Sequence, residues 1–189
     1  MMHKLFKPNV TPKEIIQMGS FGGTYFHPTD RNIDIDVNEF PSEWFLGLPT
    51  EFYYSKKYIR KVNYFKTKCG QSQEEWEKMG WINPIDPRGW FQWYCRYYMG
   101  RRCEDDDRQI RRWLNFSGPT GRWRNYIYSQ IDKRGGDISD ESYSLGARQS
   151  LLHWAYKVNE KDYEIWKKSK KKLACFKKFS YIRPVIEWG

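Results

Sequence analysis

The sequence is poor in cysteine and histidine, in long apolar runs and in glycine loops of the phosphate-binding kind, and each scarcity narrows its chemistry. Its four cysteines, Cys69, Cys95, Cys103 and Cys175, form no CxxC pair and no Cys/His ladder, so a structural zinc site is disfavoured. A chain of 189 residues buries a core without disulfide or metal staples, and neither a metal nor a cofactor is expected. No stretch approaches the roughly 18 apolar residues of a membrane span, so no membrane partner is expected. Residues 1–17 carry lysines and prolines in place of the apolar centre of a secretory signal. An intracellular protein with free thiols is the expectation, with nucleus, cytoplasm and virion all open. The paired glycines of FGGTYF at 21–26 lack the GxxxxGKS/T or GxGxxG spacing that wraps amides around a phosphate.

Strand signals are equally scarce. Only Asn32–Asn38 alternates cleanly, with Ile33, Ile35 and Val37 between Asp34 and Asp36. A small sheet there would need partners near Phe52–Tyr54 and Tyr58–Phe65.

What the chain has in abundance is rings. Aromatic residues make up 19% of it, with 10 Trp and 14 Tyr, and each large ring buries on the order of 150–250 Å². The core is therefore expected to be aromatic rather than leucine-rich. In GWFQWYCRYYMGRR, residues 89–102, Trp90, Trp93, Tyr94, Tyr97 and Tyr98 recur at helical spacing. Phe91, Cys95 and Met99 form a second stripe, and only Arg88, Gln92 and Arg96 remain as a polar strip. The pattern predicts a central core helix, although the same rings could stack bases. Asp86-Pro87 is the expected start of this helix and Gly100 its stop.

Other helices follow from their caps and periods. Ser72 and Glu75 have capping-box spacing ahead of Trp76 and Met79, with Gly80 as terminator. CEDDDRQIRRWLN places Asp105–Asp107 in a first turn and Ile110, Trp113 and Leu114 on one side. A helix from about Arg122 to Ile131 buries Trp123, Ile127 and Ile131 and exposes Arg122 and Arg124. Another, capped by Ser139 or Asp140, shares Arg148, Leu151, Leu152 and Ala155 on one side. The last begins near Glu160 with Tyr163, Trp166 and Leu173, and YIRPVIEW closes the chain as an extended tail. The fold class is mostly α, with at most a small sheet near the N-terminus, in one compact domain. It comprises an irregular segment 1–30, a helical core 31–156, and a lysine-rich helix and tail 157–189 packed on the same domain.

Charge is unevenly placed. Met1 to Ile85 holds 11 Lys/Arg against 10 Asp/Glu, whereas Asp86 to Gly189 holds 22 against 13. A second half so basic suggests a polyanionic partner, nucleic acid above all. Arg101, Arg102, Arg108, Arg111, Arg112, Arg122 and Arg124 fall within 24 residues, and their planar forks suit phosphate. The same arginines could instead pair with Asp105–Asp107. Lys167, Lys168, Lys170, Lys171 and Lys172 would add affinity without reading sequence, or serve as a localisation signal or a solvated face.

Catalytic signals are weaker. Asp105–Asp107 point about 100° apart on a helix, so at most two converge on one cation, and helix capping explains them equally. His153, between Leu152 and Trp154, lacks a nucleophile and an orienting group in the sequence.

FGGTYF, EFPSEWF, KCGQSQEEWEKMGWI, DPRGWFQWYCRYYMGRRCEDDDRQIRRW, GRWRN and RQSLLHWAY together resemble a family of uncharacterised proteins of fungi, algae and large DNA viruses, over about Phe21 to Tyr156. DPRGWFQWYCRYYMGRR is the most specific of these segments. The resemblance implies a shared fold and names no activity and no catalytic residue. The expected function is nucleic-acid binding through the Arg/Lys ridge. Two alternatives stand beside it: an enzyme on nucleic acid or another phosphorylated substrate that uses Asp105–Asp107 and His153, and a virion or scaffold protein whose basic face meets an acidic protein.

Overall fold

The computed structural model describes residues 3–28 and 35–179, with side chains except those of Gln73 and 173–179. Seven α-helices lie among the described residues: α1 (Pro12–Gln17), α2 (Gln73–Lys78), α3 (Trp90–Tyr98), α4 (Asp106–Phe116), α5 (Arg122–Lys133), α6 (Leu145–His153) and α7 (Glu160–Phe179). The chain from Val37 to Val62 is tied by single 3-10 turns, at Val37–Glu39, Ser42–Trp44, Thr50–Phe52 and Arg60–Val62. An isolated bridge between Asn83 and Asp86 is the sole extended pairing among the described residues. The fold is thus mostly α, as its periods predict, but the small sheet does not form there. Where the alternating segment is described, the Asp36 side chain accepts from the Asn38 amide at 2.8 Å and winds Val37–Glu39 into a turn, a local bond that competes with strand pairing. Asn32–Asp34 and the YIRPVIEW tail lie outside the described residues.

The segment expected to be irregular carries α1, a short helix with Pro12 in its first turn. Thr11 and Glu14 close a full capping box around it. The box predicted at Ser72 and Glu75 forms as expected on α2.

α3 is the axis of the core. Trp90 to Cys95 and Tyr97 are all buried, and Phe6 inserts edge-on among Trp90, Trp93, Tyr94, Tyr97 and Trp113 at centroid distances of 5.1–6.4 Å. Such ring pairs contribute about 0.5–1.5 kcal/mol each beyond their buried area. Polar tips are satisfied at the same time: Tyr94 Oη donates to the Val10 carbonyl and Trp93 Nε1 to Asp106 Oδ1.

Three details differ from the periodic reading. The polar strip is itself mostly buried, with Arg88 and Gln92 sealed in and Arg96 half-buried, whereas Tyr98 and Met99 are exposed. The N-cap of α3 is Gly89, not Asp86. Gly89 has φ +81°, a backbone conformation that strains any residue with a Cβ, which is why glycine stands at the head of α3. Asp86 instead becomes a buried anchor.

A second cluster joins α5, α6 and α7 through Ile127, Tyr128, Ile131, Leu151, Tyr156, Tyr163 and Trp166. Here Arg124, expected on the solvent side, turns inward. It pairs with Asp162 at 3.0 Å and lies 4.6 Å from the Tyr156 ring centroid. α6 begins after Ser144, in the left-handed region, because Asp137 and Asp140 bind Ser139 and Ser142 in their own turns rather than capping a helix.

Candidate functional site

The arginines expected to form one ridge divide into two sets. Arg101 grips Asp86 with both terminal nitrogens, at 2.8 and 2.5 Å, and Arg96 joins the same carboxylate at 2.9 Å. The Asp86 side chain is 0% exposed. Arg108 forks onto Asp105 one turn away, and Arg124 belongs to Asp162. Arg102 bonds the carbonyls of Tyr97 and Arg101 and covers the Tyr97 ring at 3.8 Å. Arg101, Arg102, Arg108 and Arg124 are thus engaged within the fold.

Arg111, Arg112 and Arg122 differ, since none has an acid partner among the described residues. Arg111 is exposed on α4. Arg112 and Arg122 both line a cleft of about 890 Å³. The Arg112 guanidinium donates to the Trp81 carbonyl and to Gln109 Oε1, at 3.2 and 3.0 Å. It lies 5.7 Å from the Trp81 ring centroid and 5.3 Å from that of Trp154. Burial, aided by the neighbouring Arg108 charge and opposed by that of Asp105, pulls its pKa down to about 10. Arg122, at the first turn of α5, is exposed above the rings of Phe116 and Trp123 at 5.8 and 5.9 Å.

The cleft is built where four helices meet. The head of α3 supplies Trp90, which packs on Trp154 at 4.7 Å; Trp154 stacks on Phe116 at 4.8 Å and 17°, and Phe116 continues to Trp123 at 5.8 Å. These four rings make a continuous aromatic lining from the end of α6 to the start of α5. Trp76 and Trp81, from α2 and the turn after it, also face the cleft. No carboxylate lines it among the described residues. Trp123 Nε1 is buried without a hydrogen-bond partner, while Trp90, Trp93, Trp113 and Trp166 each donate to one.

Cys69, Ser150 and His153 also line the cleft. His153 Nε2 lies 2.6 Å from the Ser20 carbonyl, which fixes it as the protonated nitrogen, and Phe21 stacks on the ring. Cys69 Sγ is 3.7 Å from Nδ1 and 4.0 Å from Nε2. Near-equal distances place the sulfur off the line of the Nδ1 lone pair, so the contact is no directed S–H···N bond. Burial pushes the thiol up to about 11 and holds the imidazole down at about 4. At neutral pH this is a neutral thiol beside a neutral ring, the resting form least suited to nucleophilic attack.

The aspartate cluster does not converge. Asp105 accepts from Arg108 and from Gln109 Nε2 at 2.7 Å; burial raises its pKa, but these bonds outweigh it and hold the carboxyl below its ordinary value. Asp106 accepts from Trp93 Nε1 and from the Cys103 amide, and Asp107 is exposed. No group of three or more His, Cys, Asp or Glu among the described residues is placed to hold a metal.

Of the lysine run, Lys167 pairs with Glu164 and Lys170 covers Trp166, whereas Lys168, Lys171 and Lys172 are exposed. No helix of the described residues is long and apolar enough to cross a membrane. The residues that sequence reasoning missed are Trp76, Trp81, Phe116, Trp123 and Trp154, each legible only as core. Their half-buried state is the one usable signal, and it is a tertiary property. Comparison with protein-family models, with curated proteins and with solved structures finds no match.

Proposed function

We propose that the protein binds nucleic acid, and that Arg112 and Arg122 at the mouth of the aromatic cleft take the phosphates. One observation carries this reading: Arg112 is a largely desolvated guanidinium that makes no salt bridge among the described residues, the Asp105 charge reaching it only through space. A charge taken from water is costly unless it is both hydrogen-bonded and paired, and Arg112 has two hydrogen bonds and two rings beside it but no salt bridge. An anion entering the cleft supplies one. Arg111 and the exposed lysines add salt-dependent attraction without sequence preference. Asp105 and Asp106 are engaged by structural partners and His153 is held neutral, so no observation favours the catalytic alternative over binding.

The test is binding of labelled single-stranded and duplex oligonucleotides across a salt series. Wild type is expected to lose affinity linearly in log–log form, with a slope of about −0.7 per phosphate neutralised on a single strand or about −0.9 on a duplex. Arg112→Gln/Arg122→Gln should lower affinity at least ten-fold, and Arg101→Gln, compared under native conditions, should leave it close to wild type. A flat salt response in the wild type would overturn the reading.

A further inference from the structure

We propose that the cleft is a slot for one unpaired nucleobase, which stacks on its aromatic lining while the attached phosphate meets Arg112 and Arg122. The proposal rests on the nucleic-acid reading and deepens it, because it makes single strands and frayed or extruded bases the preferred ligand.

The size of the cleft, about 890 Å³, lies within the range of roughly 300–1,000 Å³ typical of sites for small ligands. Its lining is aromatic: Trp90, Trp154, Phe116 and Trp123 pack one on the next, and Trp76 and Trp81 add rings that stack on no other ring among the described residues. Such surfaces accept any base, since every base has a π-face.

Charge then selects among planar ligands. Aromatic cages that take quaternary ammonium groups offer open ring faces to a cation. Here the guanidinium of Arg112 already occupies that role between Trp81 and Trp154, and no carboxylate among the described residues lines the cleft to attract a second positive charge. A cationic ligand is therefore disfavoured and an anionic one favoured. The polar groups point the same way. Arg112 and Arg122 present only donors to the cleft. The complementary ligand is a neutral heterocycle rich in acceptor oxygens and nitrogens that carries a negative group, the description of a nucleotide.

The cleft can be tested apart from the polymer. Titration of the wild-type protein with AMP, GMP, CMP and UMP, with uridine lacking phosphate, and with inorganic phosphate, is read by tryptophan quenching and by calorimetry. At least one monophosphate is expected to bind ten-fold or more tightly than uridine and than inorganic phosphate, and to displace a single-stranded oligonucleotide. Trp123→Ala and Trp81→Ala each remove a ring from the lining and should weaken that monophosphate, several-fold and at least ten-fold respectively. If oligonucleotides bind, monophosphates do not, and the two variants leave oligonucleotide affinity unchanged, the base slot is wrong and the surface reading stands. Monophosphate binding without oligonucleotide binding keeps the slot and removes the polymer. Inorganic phosphate binding as tightly as every monophosphate reduces the cleft to an anion site and overturns the proposal. Binding of neither class ends both readings.

Discussion

The corner around Asp86 and the mouth of the aromatic cleft use the same side chain to opposite ends. At the corner, Arg96 and Arg101 converge on one wholly buried carboxylate, and Arg108 forks onto Asp105. Every one of these guanidinium groups has a counter-charge. At the cleft, Arg112 is also withdrawn from water, yet its partners are a carbonyl, an amide oxygen and two indole faces. The two environments separate two roles. Paired arginines hold the turn between α3 and α4 in place, whereas Arg112 is withdrawn from water without a salt bridge, the feature on which the proposed binding rests.

That contrast makes its strongest demand at the corner. Asp86→Ala strands the Arg101 guanidinium, while Arg96 keeps its fork onto Glu39, and removing one partner of a buried pair costs about 3–5 kcal/mol. Urea unfolding should show the loss as a lower midpoint, and a change below about 1 kcal/mol would mean that the corner is solvated in solution and the contrast void.

Acid stress should fall on the cleft instead. The His153 pKa is depressed to about 4 by burial, below the roughly 6.5 of the unfolded chain. Between these values the unfolded state binds the additional proton, so the contribution of this ring to stability is complete above about pH 6.5 and declines as pH falls toward about 4. The decline is at most ~1.4 kcal/mol per pH unit. The difference between wild type and His153→Gln, measured near neutral pH and again about half a unit above the folded pKa, isolates it from the carboxylates; equal differences at both would show that the ring is not held neutral.

Arg112→Met examines the cleft side directly, because it should do little to the empty protein. Two hydrogen bonds are lost and an unpaired buried charge is relieved, terms that oppose one another at about 1 kcal/mol each. Stability within ~1 kcal/mol of wild type, together with a ten-fold or greater loss of oligonucleotide binding, separates a binding arginine from a structural one. Destabilisation as large as that of Asp86→Ala would place Arg112 with the corner set.

Smallest of all should be the effect of Lys168→Gln, Lys171→Gln and Lys172→Gln together. These exposed side chains are expected to shift stability by no more than ~0.5 kcal/mol and to shallow the salt dependence of binding without abolishing it. A complete loss of binding would move the site from the cleft to α7.

The periodic parts of the chain are legible in its order of residues alone. Trp90, Trp93, Tyr94 and Tyr97 lie where a 3.6-residue period puts them, Ile110 and Trp113 likewise, and the capping box at Ser72 and Glu75 closes as its spacing predicts. Thr11 and Glu14 carry the same capping signal, masked by the prolines and glycines around them. Asp36 and Asp140 mislead for a related reason: a short acidic side chain bonds the nearest amide, and which amide is nearest depends on the turn already formed.

Periodicity, ring content and charge set the class of fold, the aromatic core and the excess of cations, because these are properties of the residues and of their near neighbours along the chain. Which arginines are paired and which remain open is settled only once the helices have packed. Asp86 meets Arg96 and Arg101 across a turn, Arg124 meets Asp162 across two helices, and Arg112 meets indoles contributed by Trp81 and Trp154, 31 and 42 positions away. Coulomb attraction and desolvation depend on distance in space and on the medium between, and a linear sequence specifies neither.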